Sequence, residues 1–332
     1  MSFSAEAIWR TKPKEFLEFL NTGALAPKPK TIHFYGPSFM HYKTSYYSSK
    51  LTQFPTLSLT GTACALNCKH CECKVLQTMQ SADTPEKLIT MAEKLKQQGG
   101  LGFLLSGGCM PDGSVPLTGF IPAIEKIKQE LGLTVFVHTG IIRLEVAESL
   151  KKAGVDAALI DIIGSDETMK QIGNLNVTVK DYANSLSALQ QAGLNFVPHV
   201  IVGLHDGKLK GELDALKLIA AVKPSAIVII AFMPIHGTSM EDVKPPQPVE
   251  IAKVTAVARV MFPRTPLALG CVRPKGKHRA ETDILALKAG ADAIAFPNEE
   301  AVRYAEAQKI EFSFSSNCCA QIYIDATPKS LT

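Results

Sequence analysis

Eight of the 332 residues are cysteines, and three of them fall within eight positions, Cys64-Ala65-Leu66-Asn67-Cys68-Lys69-His70-Cys71. Thiolates spaced this way on one loop can wrap a single soft metal centre, and they are the usual ligands of iron–sulfur clusters. The same residues leave a zinc knuckle open, with His70 or Cys73 as the fourth tetrahedral ligand, although zinc more often takes paired Cys-x-x-Cys units. The remaining thiols, Cys73, Cys109, Cys271, Cys318 and Cys319, are dispersed along the chain. Any one of them alone could be a small buried hydrophobe.

Composition narrows what those thiols can be. A disulfide scaffold is short, secreted and much richer in cysteine. The opening MSFSAEAIWRTKPKEF has no basic segment followed by an apolar run, and is not expected to be an export signal. The longest apolar stretch, Ala226 to Pro234, is about half the roughly 20 residues needed to span a bilayer. Thirty-five Lys plus Arg against 31 Asp plus Glu leave a net charge of +4, too small to point to nucleic acid. A reducing cytoplasm, with metal ligation or thiol chemistry and neither nucleic acid nor membrane as partner, is the expectation.

The elements that must position the thiols come from periodicity. Eight short apolar or β-branched runs begin at Thr56, Gly102, Thr134, Ala157, Asn195, Ala226, Pro266 and Ala293. Between them lie stretches of helical spacing, such as 84–98, 143–152, 179–191, 210–222, 249–261, 280–288 and 299–308. Strands with two covered faces, each followed by a crossover helix, predict an α/β fold, a (β/α)8 barrel of the TIM type. An open doubly wound sheet would carry a glycine-rich phosphate turn after its first strand, and here cysteines follow instead. The expected organisation is an N-terminal extension over 1–50, containing Pro27, Pro29, a helix near Glu15 to Leu20 and a tyrosine-rich piece from Tyr42 to Tyr47. The barrel spans 51–309, and a tail over 310–332 carries Cys318 and Cys319.

Barrel active sites lie at the C-terminal ends of the strands. The cysteine loop follows the first strand, Ser106-Gly107-Gly108-Cys109 ends the second, Asp161 ends the fourth, Met233 follows the sixth and Cys271 ends the seventh. Ile310, Phe312 and Phe314 alternate with polar residues as in a strand, which should run back up to bring Cys318 and Cys319 to the same mouth. Met233, His138 and His199 could equally be packing or hydrogen-bonded core residues. The cations around Cys271, Arg273 and Arg279 among them, could hold a carboxylate, a partner's acidic surface or a sulfide.

The loop Cys64-x3-Cys68-x2-Cys71 after the first barrel strand resembles the signature of the radical S-adenosylmethionine (SAM) superfamily. The resemblance implies that these three cysteines hold a [4Fe–4S] cluster whose fourth iron binds SAM, and that an electron from a reducing donor yields a 5′-deoxyadenosyl radical. It implies an adenine contact for His70, backbone contacts to the SAM amino group at Ser106, Gly107 and Gly108, a ribose contact for Asp161, and SAM contact near Met233. Cys109, Cys271, Cys318 and Cys319 are the expected ligands of a second, auxiliary cluster, with Cys73 as the remaining candidate or a structural residue, and a vicinal redox pair of Cys318 and Cys319 as a further reading. CALNCKHC, LLSGGCMPDGSVPL, VPHVIVGLHDGKLKGE, MPIHGTSM, GCVRP and the terminal Cys-Cys resemble the biotin-synthase-related group containing one component of the archaeal-type, two-protein lipoyl synthase. This likeness runs from about Phe54 to Tyr323. It implies sulfur insertion into octanoyl chains on a lipoyl-domain protein, with a second radical SAM protein as partner. Methylation, methylthiolation or peptide crosslinking would use the same radical, and a non-enzymatic zinc or iron–sulfur scaffold is the contrasting class.

Overall fold

The computed structural model describes residues 4–25, 31–38, 41–50 and 52–326. Pro27 and Pro29 lie outside the described residues. Two helices, α1 (Ala5–Arg10) and α2 (Pro13–Asn21), precede strand β1 (Thr31–Tyr35). The chain then runs through β2 (Thr56–Ser58), β3 (Gln80–Ser81), α3 (Pro85–Gln97), β4 (Gly102–Ser106), α4 (Ile121–Leu131), β5 (Thr134–His138) and α5 (Leu144–Lys152). Next come β6 (Ala157–Ile162), α6 (Asp166–Gln171), α7 (Val179–Gln191), β7 (Phe196–Val202), α8 (Glu212–Ala220), β8 (Ile227–Ala231) and α9 (Pro248–Met261). The last elements are β9 (Leu267–Leu269), α10 (Lys277–Lys288), β10 (Ala293–Ala295), α11 (Glu299–Ala307), β11 (Glu311–Ser315) and α12 (Ile322–Asp325).

All eight expected strands are present, as β2 and β4 to β10, and their order in the sheet follows the chain. Their pairings are parallel, as a sheet built from strand and crossover-helix units requires. Three further strands extend the sheet. β3 pairs with β2 at one edge, while β1 lies between β10 and β11 at the other. The result is an open, barrel-like parallel sheet. Thr31–Tyr35, inside the segment expected to be an extension, is thus a strand of the sheet.

Strand residues alternate between two faces. Leu57, Phe103, Val135, Ile160, Val200 and Ile229 pack outward in one core with the helices. Phe136, Leu159, Val197 and Val228 pack inward in a second core. Helix α9 is buried nearly all round, Lys253, Thr255 and Arg259 included, which a helix covered on one face would not be. The cover is supplied by α1 and α2, whose Ile8, Phe16 and Leu20 are buried in the same core, while Lys253 on α9 donates to the Thr11 carbonyl at 2.5 Å.

The tail departs from the simple picture of a strand reaching the mouth. β11 does run parallel to β1 and ends at the mouth. Beyond Cys318 the chain then turns into the barrel, where Cys319, Ala320 and Ile322 are buried against the inward faces of Ala226, Ala268, Ala293 and Ala295. Bulky branched residues usually fill a barrel interior. These alanines leave the space that the tail occupies. Tyr323 donates its hydroxyl to the Asp156 carbonyl at 3.0 Å, just before β6, and Tyr35 donates to Asp325 at 2.6 Å. Outside, Tyr47 stacks on Phe314 with centroids 5.0 Å apart, so the tyrosine-rich piece clamps β11.

Candidate metal centre

The cysteine loop leaves β2 and is gripped from three sides. Gly108 N–H donates to Thr60 Oγ1 at 2.7 Å, Ala65 N–H donates to the Cys109 carbonyl at 2.9 Å, and Cys109 N–H lies 3.3 Å from Cys64 Sγ. A side chain at Gly108 would meet the Ala63 carbonyl at 1.9 Å and the Cys64 Cα at 2.6 Å, so only glycine lets β4 abut the loop. On the second side Lys69 N–H bonds the Ile172 carbonyl at 2.9 Å and Cys68 Sγ lies 3.0 Å from the Gly173 carbonyl. On the third, Glu72 accepts from Ser239 N–H at 2.9 Å, tying the loop to the segment after β8. Asn67, Glu72 and Cys73 hold positive φ of 46°, 41° and 60°. Such conformations persist only where surrounding contacts impose them.

The thiols crowd one another electrostatically. The neighbouring Cys71 and burial hold Cys68 strongly to its proton, whereas Cys71, beside Cys68 and His70, is drawn down to about 4. Burial and the neighbouring Cys64 push Cys109 up to about 12. Among the described residues no three His, Cys, Asp or Glu side chains are drawn to the spacing of one metal ion. An iron–sulfur cluster distributes its thiolates over several irons, so that spacing is not its requirement. The residues present fit such a group, because a cationic centre relieves the repulsion among thiolates. Two buried atoms beside the loop, His70 Nδ1 and Asp161 Oδ1, also lack any protein partner.

The structure brings together Cys64, Cys68, Cys71, His70 and the Ser106–Cys109 turn. Asp161 faces inward below them, near Cys109, His138, His199 and Tyr182. His138 and His199 lie with ring centroids 5.4 Å apart. Burial lowers both imidazoles, His199 to about 4, and its Nδ1 bonds the Val197 carbonyl at 3.0 Å. Met233 is partly buried beyond β8. Cys73 remains on the loop, 3.7 Å from Asn67 Oδ1.

Cys271, Cys318 and Cys319 form a separate group packed in the inner core. Cys319 donates to Cys318, lowering it and keeping its own proton, while burial pushes Cys271 up to about 11. Arg273 does not reach out to a ligand. It is wholly buried, paired with Asp283 at 2.8 Å and donating to the Gly270 and Phe296 carbonyls. Arg279 in turn donates to the Arg273 carbonyl at 2.9 Å. Sequence reasoning missed Thr60, Tyr182, the Glu72–Ser239 contact and the insertion of the tail. The inward alanines of β8 to β10 were the one signal for that insertion.

A model of the Radical SAM superfamily matches residues 58–219. A biotin synthase of Prochlorococcus marinus (strain AS9601) is 25% identical over 297 residues, covering 86% of this chain and 84% of that one. One from Synechococcus elongatus is 25% identical over 295 residues, covering 85% and 86%. Two solved structures share the fold. They are HydG, a maturase of the [FeFe]-hydrogenase (TM-score 0.65, 16% identity, 97% of this chain and 73% of that one), and methylornithine synthase (TM-score 0.63, 15% identity, 94% and 95%).

Proposed function

From the match of residues 58–219 to the Radical SAM superfamily and the likeness to biotin synthases, we propose that this chain is a radical SAM enzyme that inserts sulfur into protein-bound octanoyl chains, as one component of a two-protein lipoyl synthase. The observation that carries the reading is the presence of two thiol groups at one mouth, one on the loop after β2 and one at the end of β9 and the tail. Breaking an unactivated C–H bond and then delivering sulfur to the same carbon needs both reagents beside one substrate. Four strands, β5 to β8, separate β4 from β9 in the curved sheet, so the two groups sit on different walls of one opening.

When bound, a [4Fe–4S] cluster with SAM supplies a 5′-deoxyadenosyl radical able to take hydrogen from carbon. Cys64, Cys68 and Cys71 would hold the cluster, and the bond from Gly108 N–H to Thr60 Oγ1 helps fix the loop that carries them. The carbonyls of Ser106 to Gly108 would receive the SAM amino group, His70 and Met233 would lie towards its adenine, and Asp161, whose Oδ1 is buried without a partner, would accept from a ribose hydroxyl. Burial lowers His138 and His199 beside Asp161 and so favours their neutral forms. Partly buried Cys271 and Cys318 with buried Cys319 stand on the other wall, where an auxiliary cluster would be held. The partners in this reading are a second radical SAM component, an octanoylated lipoyl-domain protein and a low-potential electron donor in a reducing cytoplasm.

A second reading, favoured by the biotin synthases among the relatives, keeps the sulfur insertion and replaces the protein-bound chain by a small biotin precursor. Anaerobic turnover with SAM and reductant separates the two. An octanoyl-lysyl peptide plus the second component should yield 5′-deoxyadenosine and a thiolated peptide by mass spectrometry. Hydrogen abstraction without thiolation in any partner combination rejects the lipoyl reading, and thiolation of the small precursor alone selects the second.

A further inference from the structure

Half of the mouth is roofed over. The cysteine loop leaves β2 and crosses to the opposite wall, where Lys69 N–H bonds the Ile172 carbonyl at 2.9 Å after β6 and Glu72 accepts from Ser239 N–H at 2.9 Å after β8. Ile172, Leu204, Phe232 and Met240 knit the segments after β6, β7 and β8 into a small core of their own. The tips of β4 to β8 are thus bridged from one side to the other. Among the described residues, no hydrogen bond or ion pair ties the cysteine loop to residues 270–276 after β9. A substrate on a long arm therefore has its entrance on the side of β9, β10 and β1, where Cys271 stands.

Charge divides the mouth in the same way. The segments after β6, β7 and β8, residues 163–178, 203–211 and 232–247, hold five carboxylates, Asp166, Glu167, Asp206, Glu241 and Asp242, against four lysines. Residues 270–279 hold Arg273, Lys275, Lys277 and Arg279 and no carboxylate. Arg273 turns inward to Asp283, and His278 and Arg279 are engaged by the carbonyls of Pro246 and Arg273. Lys275 and Lys277 are exposed and enter no ion pair among the described residues. Lys277, His278 and Arg279 open α10, where positive charge opposes the helix dipole, so their charge does not serve the helix. Val272 stands among these cations at 42% exposure. Exposed Lys43 continues the rim, since Tyr42 and Ser45 on either side bond the Pro297 carbonyl and Glu299 at the start of α11. Of the carboxylates there, Glu299 is held by Ser45 and Arg303, and Glu300 is exposed.

We propose that the rim of Val272, Lys275, Lys277 and Lys43 docks the protein domain that carries the substrate chain, and that this domain is acidic on the face around its modified lysine. The proposal rests on the reading that the chain is protein-bound. An exposed apolar side chain ringed by charge has the anatomy of an interface, with Val272 as the contact that is buried and the lysines as its polar rim. Opposite charge on the partner speeds encounter and sets the orientation in which the arm points at the entrance. The roofed half of the mouth, with its balanced charge, offers neither the entrance nor the attraction.

The test measures the affinity of the full chain for an octanoylated lipoyl domain of negative net charge, at about 50 mM and about 300 mM salt. Binding should weaken about tenfold at the higher salt, as screening of exposed charge requires. A variant with Lys275→Glu and Lys277→Glu should bind at least about tenfold more weakly at low salt and lose most of the salt dependence, and Lys43→Glu should weaken binding about threefold. A control with Lys170→Glu and Lys244→Glu changes the net charge equally on the roofed half and should bind as the parent does. Equal weakening in the control, parental binding by the Lys275→Glu, Lys277→Glu variant, no binding of the domain, or tighter binding of a DNA duplex or phosphatidylserine vesicles than of the domain would each overturn the docking rim. Thiolation of a neutral octanoyl-lysyl peptide keeps this apart from the functional reading, since it should proceed equally in parent and variant. Peptide thiolation with domain binding untouched by the reversals rejects the rim alone, whereas domain binding lost through them with no thiolation of any substrate rejects the octanoyl reading alone.

Discussion

At Gly108 a single missing side chain sets the cysteine loop. A methyl group there would enter the space of the Ala63 carbonyl and the Cys64 backbone, both main-chain atoms that cannot swing aside. Gly108→Ala should therefore shift Cys64 and reduce iron retention at the first site by roughly 10- to 100-fold, the usual effect of disturbing the support of a metal ligand. Iron analysis on a variant also lacking Cys271, Cys318 and Cys319 would check this, and undiminished retention would contradict it. Gly107→Ala, whose nearest contacts are at 3.2 Å on the Thr60 side chain, should be milder. Glu212 gives a pH signature. Its Oε1 accepts from Gly203 N–H at 2.8 Å, Oε2 is buried without a partner, and burial raises the carboxyl from 4.5 to about 7. A carboxyl raised in the folded state stabilises the fold when protonated, and that contribution is lost as pH rises from 4.5 through 7. Glu212→Gln should remove this loss, so its stability relative to the parent should improve by about 1–3 kcal/mol between pH 4.5 and pH 8. Urea melts at the two pH values would measure it, and an equal difference at both would refute it.

The returning tail is the element whose position decides most. Ile322 is fully buried in the barrel, and its neighbours there are the alanines of β8 to β10. Ile322→Ala should cost about 2–4 kcal/mol, since the rigid sheet around it cannot collapse into the space. Tyr323→Phe, losing one bond to the Asp156 carbonyl, should cost about 1 kcal/mol. Denaturant melts of the two variants should fall in that order, and the reverse order would mean that the tail is not seated in the barrel. The strand itself was legible, because the alternation of Ile310, Phe312 and Phe314 with polar residues is a local pattern. Its partner, β1, was not. Among the described residues Thr31–Tyr35 is followed by no crossover helix of its own, and it pairs with strands more than 250 residues away, at Ala293 and Glu311.

At the scale of the whole molecule, the outer layer is completed by the N-terminal helices. Helix α9 is buried nearly all round because sheet and helices cover it, with Phe16 at 0% and Ile8 at 2% exposure on the covering side. Removing residues 1–21 should bare that face and cost several kcal/mol, at about 1.5–3 kcal/mol for each large side chain returned to water. That is a large part of the 5–15 kcal/mol typical of a domain. The shortened chain should melt lower and scatter light at concentrations where the full chain does not. An unchanged melting temperature would show the helices to be dispensable.

The sequence by itself determined the cysteine loop and the eight barrel strands. A thiol triad within eight residues and short apolar runs with crossover helices are statements about near neighbours, and local spacing encodes them. It also placed Ser106 to Cys109, Asp161 and Cys271 at strand ends, because strand direction in a parallel sheet follows from connectivity. Only the tertiary structure decided which thiols share a place. Cys109 and Cys271 both end strands, yet the curvature of the sheet carries one to the loop after β2 and the other to the inner core beside Cys318 and Cys319. It also decided that Arg273 is consumed by Asp283 and two carbonyls, and that the tail enters the barrel. Such contacts join residues that no spacing relates, and they form only where the sheet's curvature and the small inward alanines leave room.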